Sequence, residues 1–240
     1  MSKNNGVPAW VWIGCGCGLC ILLLIGGAMA LGLAGVSFFT RAVDKMADPA
    51  MRHEAVVELL GAEGGLPDGY HAHSIFSFPF ALKLASLSDG PEPETADGAS
   101  FEEKAEMMVN MIPRADDLGE HTFIYLEAKS MREDQRIDDI LGGERAGGTT
   151  SIDLGLEFDF DESLGEGSLE AAGTTVDWRA ARGTLGMFSG STEAQWVAVR
   201  FRCGGEVPRA GVWIEHPPGD EPLAELGRLR DFLDHFSPCS

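Results

Sequence analysis

The chain has 240 residues, 44% of them apolar and 23% charged, with 31 glycines and 12 prolines. That composition excludes a disordered tail and a collagen-like fibre. Lys and Arg number 18 against 38 Asp and Glu, a net charge of −20, so binding to nucleic acid through a basic footprint is excluded as well.

A short tail, residues 1–8, leads into an apolar run with no charged residue between Asn4 and Thr40. A bilayer core of about 30 Å needs only about 20 such residues in a helix. Residues 9–39 therefore read as a transmembrane helix, with Trp10 and Trp12 near one interface and Phe38 and Phe39 near the other. Ala28 and Ala30 supply an A-x-A cleavage pattern. The run continues through Leu31, Leu33, Val36 and Phe39, longer than the roughly 7 to 15 apolar residues of a signal peptide. A retained signal anchor is the reading. Gly14 and Gly18, then Gly26 and Ala30, recur every four residues and place small side chains on one helix face, a spacing suited to self-association within the membrane.

Residues 40–65 read as a juxtamembrane helix or stalk. Asp48 and Pro49 supply a cap and a first helical residue, Val56, Val57, Leu59 and Leu60 an apolar side, and Gly64 with Gly65 a stop. Residues 66–240 read as one soluble domain, long enough for its own core. Strands are expected over 70–76, 80–87 and 121–129, a short helix or strand after the capping-box pair Ser100 and Glu103, and a helix over 132–141. Ile152, Leu154, Leu156, Phe158 and Phe160 then alternate with Asp153, Gly155, Glu157, Asp159 and Asp161, one face core and the other acidic and wet. A hairpin follows over 168–183. Val197, Val199, Phe201 and Cys203 share one face of the next strand, and 210–216 forms another with Val212 and Ile214 inward and Trp213 outward. A helix over 221–236 carries the stripe Leu223, Leu226, Leu229, Leu233 and Phe236.

The fold class expected is α+β: an N-terminal transmembrane helix followed by one antiparallel-sheet domain with a packed C-terminal helix. The strand at 168–172, the hairpin, the strands at 195–203 and 212–217 and the closing helix through Phe232 together resemble, at the level of topology, the Mog1/PsbP-like α+β module. The resemblance covers the soluble part only, transfers no active-site residue, and implies a binding or assembly module.

Cys203 and Cys239 are expected to pair. The second strand carries the chain roughly 23 Å away from Cys203 at about 3.3 Å per residue. The closing helix returns it about 24 Å at 1.5 Å per residue. Disulfides persist outside the cytosol, which places the domain on the extracytoplasmic side. Lys3 on one side of the anchor, against Arg41, Lys45 and Arg52 on the other, argues the reverse and would make a cytoplasmic sensor domain.

Motifs for chemistry are sparse. The chain has no P-loop, His53 and Glu54 lack the second zinc-binding His because position 57 is Val, and Gly186 to Gly190 lacks the glycine two residues before Ser189 that a nucleophile elbow uses. His71 and His73 stand two apart on a strand, a spacing that could chelate a transition metal. Asp159, Asp161, Ser163 and Glu170 occupy positions 1, 3, 5 and 12 of a calcium loop, although Leu164 replaces the turn glycine. No other cofactor is expected. The reading is a single-pass membrane protein with an acidic extracytoplasmic binding or structural domain, its partners membrane lipid, an envelope protein and a second copy through the membrane helix. The alternative class is a membrane-anchored enzyme with a site dispersed in sequence.

Overall fold

The computed structural model describes residues 48–78, 82–92, 119–128, 149–152, 156–187, 190–205, 207–218 and 226–240. The anchor at 9–39 with Gly14, Gly18, Gly26 and Ala30, and the elements read over 100–112 and 132–141, lie outside them. Among the described residues no helix is long and apolar enough to cross a membrane.

Among the described residues eight strands form one antiparallel sheet: β1 (His71–Phe78), β2 (Leu82–Ser88), β3 (His121–Ala128), β4 (Thr149–Ile152), β5 (Leu156–Ala171), β6 (Thr174–Met187), β7 (Gly190–Phe201) and β8 (Arg209–Glu215). Their order across the sheet is β1-β2-β3-β8-β7-β6-β5-β4. Two meanders, β1 to β3 and β4 to β8, are joined where β3 pairs β8. With two helices among the described residues, α1 (Pro49–Leu60) and α2 (Leu226–Leu233), the fold is mostly β.

Each face of the sheet carries an apolar cluster. One joins Ala85, Leu87, Phe123, Tyr125, Val197, Val199, Phe201 and Trp213 to the buried sides of both helices. The other joins Leu84, Ile124, Leu126, Val212, Ile214 and Trp196 to Phe158 and Phe160, whose rings meet Trp196 edge-on at 5.3 Å. Strands β2, β3 and β8 are thus buried on both faces. This corrects the expectation for Trp213, which is 1% exposed beneath α2. The alternation rule assigns one wet face to each strand, and a sheet covered on both sides has none in its middle.

The alternating stretch from Ile152 to Phe160 belongs to two strands, not one. Ile152 ends β4 and pairs with Leu156 of β5, and Thr149 pairs with Asp159. Within β5, Phe158 and Phe160 are buried and Glu157, Asp159 and Asp161 exposed, as the pattern requires. The β5–β6 hairpin closes on Ala172 (φ 54°) and Gly173 (φ 68°), the two left-handed residues of a tight turn.

Helix α1 begins as expected, with the Asp48 side chain accepting from the N–H groups of Ala50 (2.9 Å) and Met51 (3.2 Å). It ends at Gly61 in the left-handed conformation (φ 62°), before the expected stop. It packs against the sheet. Val56 and Leu60 are in the core, the Leu60 carbonyl accepts from Ser237 N–H at 3.0 Å, and buried Arg52 donates from Nε to the Ala72 carbonyl of β1 at 2.7 Å. Burial pushes the Arg52 guanidinium below its ordinary value, with Glu92 and Asp48 opposing. The compact unit that holds the sheet spans Val43–Ser240.

At the other end of the chain, Leu229, Phe232 and Leu233 of α2 and the following Phe236 are buried. Cys203 and Cys239 are joined as a disulfide, Cα atoms 5.1 Å apart, so the tail after α2 is tied to the end of β7.

Two substitutions test this packing. Gly211→Ala should destabilise by about 1–3 kcal/mol, because a Cβ there would overlap the Phe123 ring. Replacing Cys203 by Ser opens a covalent loop with a sequence separation of 36. That loss should cost about 3–4 kcal/mol in urea unfolding, and reductant should abolish the difference from the parent chain.

Candidate functional site

The apolar band under the helices is bounded at each end by a row of polar side chains set by strand register. Residues directly opposite on neighbouring strands point to the same face. At one end His121 of β3 lies opposite Glu215 of β8, Glu215 opposite Gln195 of β7, Gln195 opposite Arg182 of β6, and Arg182 opposite Glu162 of β5. At the other end Lys83, Glu127 and Arg209 stand in line across β2, β3 and β8.

The first row is the richest polar constellation in the fold. His121 is 3% exposed. Its backbone N–H donates to Asp89 Oδ1 at 2.9 Å and its Nδ1 lies 2.8 Å from Asp89 Oδ2. That carboxylate holds the proton on Nδ1, which leaves Nε2 as an acceptor for Arg228 Nη1 of α2 at 3.2 Å. Further along, Gln195 donates to Glu215 Oε2 and accepts from Arg182 Nη2 at 3.3 Å. Both ends of its amide are therefore fixed. Thr192 Oγ1 and His216 Nε2 are 2.6 Å apart at the margin of the row.

The segments that hold Asp89 and Gly119 meet beside this row. Ser88 Oγ accepts from the N–H groups of Gly90 (3.0 Å) and Gly119 (3.1 Å) and from the Thr122 hydroxyl (3.4 Å), drawing the two chain segments together. Asp89, His121 and Ser88 do not form a hydrolytic triad. The Ser88 hydroxyl serves the loop neck, and the acceptor nitrogen of His121 is turned to Arg228. A recess of about 10 Å³, room for one water molecule, adjoins Gln195, Glu215 and Trp213. The row can thus orient and brace side chains, and its imidazole has both nitrogens engaged.

In the second row, Lys83 Nζ lies 3.2 Å from Glu127 Oε1. Burial pushes the neighbouring Tyr125 hydroxyl well above its ordinary value, with Arg209 opposing and Glu127 adding to the shift. On the opposite face Arg202 grips Asp177 through two 2.7 Å hydrogen bonds, and Ser168 donates to the same carboxylate at 2.7 Å. The Arg202 hydrogen bonds hold the Asp177 carboxyl below the usual carboxylate range against the opposing effect of desolvation, with Ser168 and Arg200 assisting.

The residues proposed for calcium do not converge. Asp159, Asp161, Ser163 and Glu170 all lie in β5, and at about 3.3 Å per residue Asp159 and Glu170 are roughly 36 Å apart along the strand. Ligands of one ion sit about 2.4 Å from it. Asp161 is displaced by a bulge between Phe160 and Glu162, and Glu170 accepts from the Thr175 hydroxyl at 2.8 Å. The pattern of short acids at every second position is as well met by the wet face of a strand. His71 and His73 fare similarly, because a register shift between Ala72 and Ser74 breaks their two-residue relation. Among the described residues no group of three or more His, Cys, Asp or Glu side chains could hold a metal ion. Asp89, His121, Gln195, Glu215 and Arg228 were not singled out by any sequence motif; only the pairing of β3, β8 and β7 brings them together.

No family model, no curated protein and no solved structure matches this chain.

Asp89→Ala would remove the acceptor of two His121 hydrogen bonds, and should lower stability by about 1–3 kcal/mol in urea unfolding. The Asp177 carboxyl should titrate below the usual range by NMR, and Arg202→Met should bring it back up. Because the folded value is depressed, the contribution of this pair is complete above the unfolded carboxylate pKa and disappears as pH falls through the lowered one.

Proposed function

We propose that the chain is a single-pass membrane protein whose acidic, extracytoplasmic domain works as a binding or structural module. The anchor at 9–39 would hold the domain at the membrane surface and present it to an envelope partner, with Gly14, Gly18, Gly26 and Ala30 available for self-association. The observation that carries the reading is the Cys203–Cys239 bridge. A covalent tie between the end of a strand and the chain terminus is the kind of staple that persists in an oxidising compartment and is reduced in the cytosol.

The polar row supports a module over an enzyme. Catalytic histidines keep one nitrogen available for the proton they move, whereas His121 spends one on Asp89 and the other on Arg228. The charges brace α2 against the sheet.

Thiol labelling in intact cells tests the location. Cys203 and Cys239 should resist a maleimide until reductant is added, and should then react with a membrane-impermeant reagent. Reaction without reductant, by a reagent confined to the cytosol, would reverse the orientation and remove the bridge from the argument together.

A further inference from the structure

The two edges of the sheet are finished differently. At one edge, β1 is covered by α1: Arg52 reaches the Ala72 carbonyl, and Ala72, His73 and Ser74 are buried. At the other, β4 pairs only with Leu156 to Asp159. From Phe160 to Ala171, β5 has β6 on one side and no strand on the other among the described residues. Phe160 and Ala171 at the ends of this stretch are buried and α2 packs against β5, while Glu162, Ser163, Glu166, Gly167, Ser168 and Glu170 are exposed. An edge strand turns every second N–H and C=O outward, a ready template for another extended chain.

Two bulges, at Asp161 and Leu164, interrupt the ladder near the start of this stretch. Beyond them Gly165 to Ala171 pairs with β6 without a further shift, a seven-residue run. Within that run Glu166, Ser168 and Glu170 stand on one face at a spacing of two. Arg179 lies 4.0 Å from Glu166 and Thr175 donates to Glu170, yet both carboxylates remain exposed. A second copy of the chain is a poor occupant, since each copy carries a net charge of −20 and would bring the same carboxylates to the seam. A strand with Lys or Arg at every second position would set its cations against this row.

We propose that the outer edge of β5, from Gly165 to Ala171, takes up a basic extended segment of a partner protein as a ninth strand. The open backbone supplies the hydrogen bonds, and the carboxylates at spacing two select the partner and its register. This deepens the binding-module reading and rests on it.

The probe is a short synthetic peptide alternating lysine with threonine and valine, added to the full-length protein in detergent micelles. Hydrogen exchange should slow at the amides of residues 165–171, with no change along β1. Methylating alternate backbone nitrogens of the peptide keeps its charge but removes its donors, and should weaken binding at least about tenfold. The double substitution Glu166→Lys with Glu170→Lys should weaken the unmodified peptide by about the same factor. Equal binding of the methylated peptide would reduce the effect to bulk charge attraction and overturn the proposal, as would protection outside β5 or no binding at all. Those failures leave the thiol-labelling result untouched, and a cytosolic location would leave the edge measurement untouched.

Discussion

The ring of Phe232 is the contact on which the rest of the fold depends. It lies 4.7 Å from Trp213, 5.1 Å from Phe123, 4.8 Å from Tyr70 and 5.0 Å from Phe236, joining α2 to β3, β8 and the segment that precedes β1. An aromatic cluster of this size buries several hundred Å² of apolar surface and favours edge-to-face geometry, which orients as well as attracts. With it in place, the helix-covered face of the middle strands is dry, and the residues after α2 arrive beside Cys203. Gly211 serves the same packing by leaving room for the Phe123 ring.

Polar residues in this sheet are arranged by the limits of that cover. Where the helices end, the register lines up His121, Glu215, Gln195 and Arg182 at one margin and Lys83, Glu127 and Arg209 at the other. Buried polar groups are as a rule partnered, and His121 of the first row is held by Asp89 and Arg228. The carboxylates gather instead where water reaches, on the outer strand β5. The described residues therefore present a braced interior margin and an acidic outer strand.

Much of the strand layout was legible because strands leave a local mark. The alternation of Val197, Val199 and Phe201 and the turn at Ala172 and Gly173 led directly to β7 and the β5–β6 hairpin, and the return path of the last helix led to the cysteine pair. Trp213 was misread for a reason visible in the structure: alternation reports one dry face, and β8 has two. The apolar positions of α1 looked like a stalk because a helix sequence states which side is apolar and not what covers it. Asp159 to Glu170 matched a calcium spacing because short acids at every second position also describe a wet strand. The polar row was invisible, since His121 and Arg228 are 107 residues apart in sequence.

By itself the sequence determined what depends on neighbours along the chain: the uncharged apolar run at the N-terminus, the periods of strands and the closing helix, the cap at Asp48 and the acidic charge. Only the tertiary structure decided which strands meet, that both faces of the middle strands are covered, that α1 packs on the sheet, and that among the described residues β5 beyond Asp159 pairs on one side alone. Pairing across a sheet is a long-range choice, made when apolar faces from distant segments find a common cover, and no local pattern of residues encodes it alone.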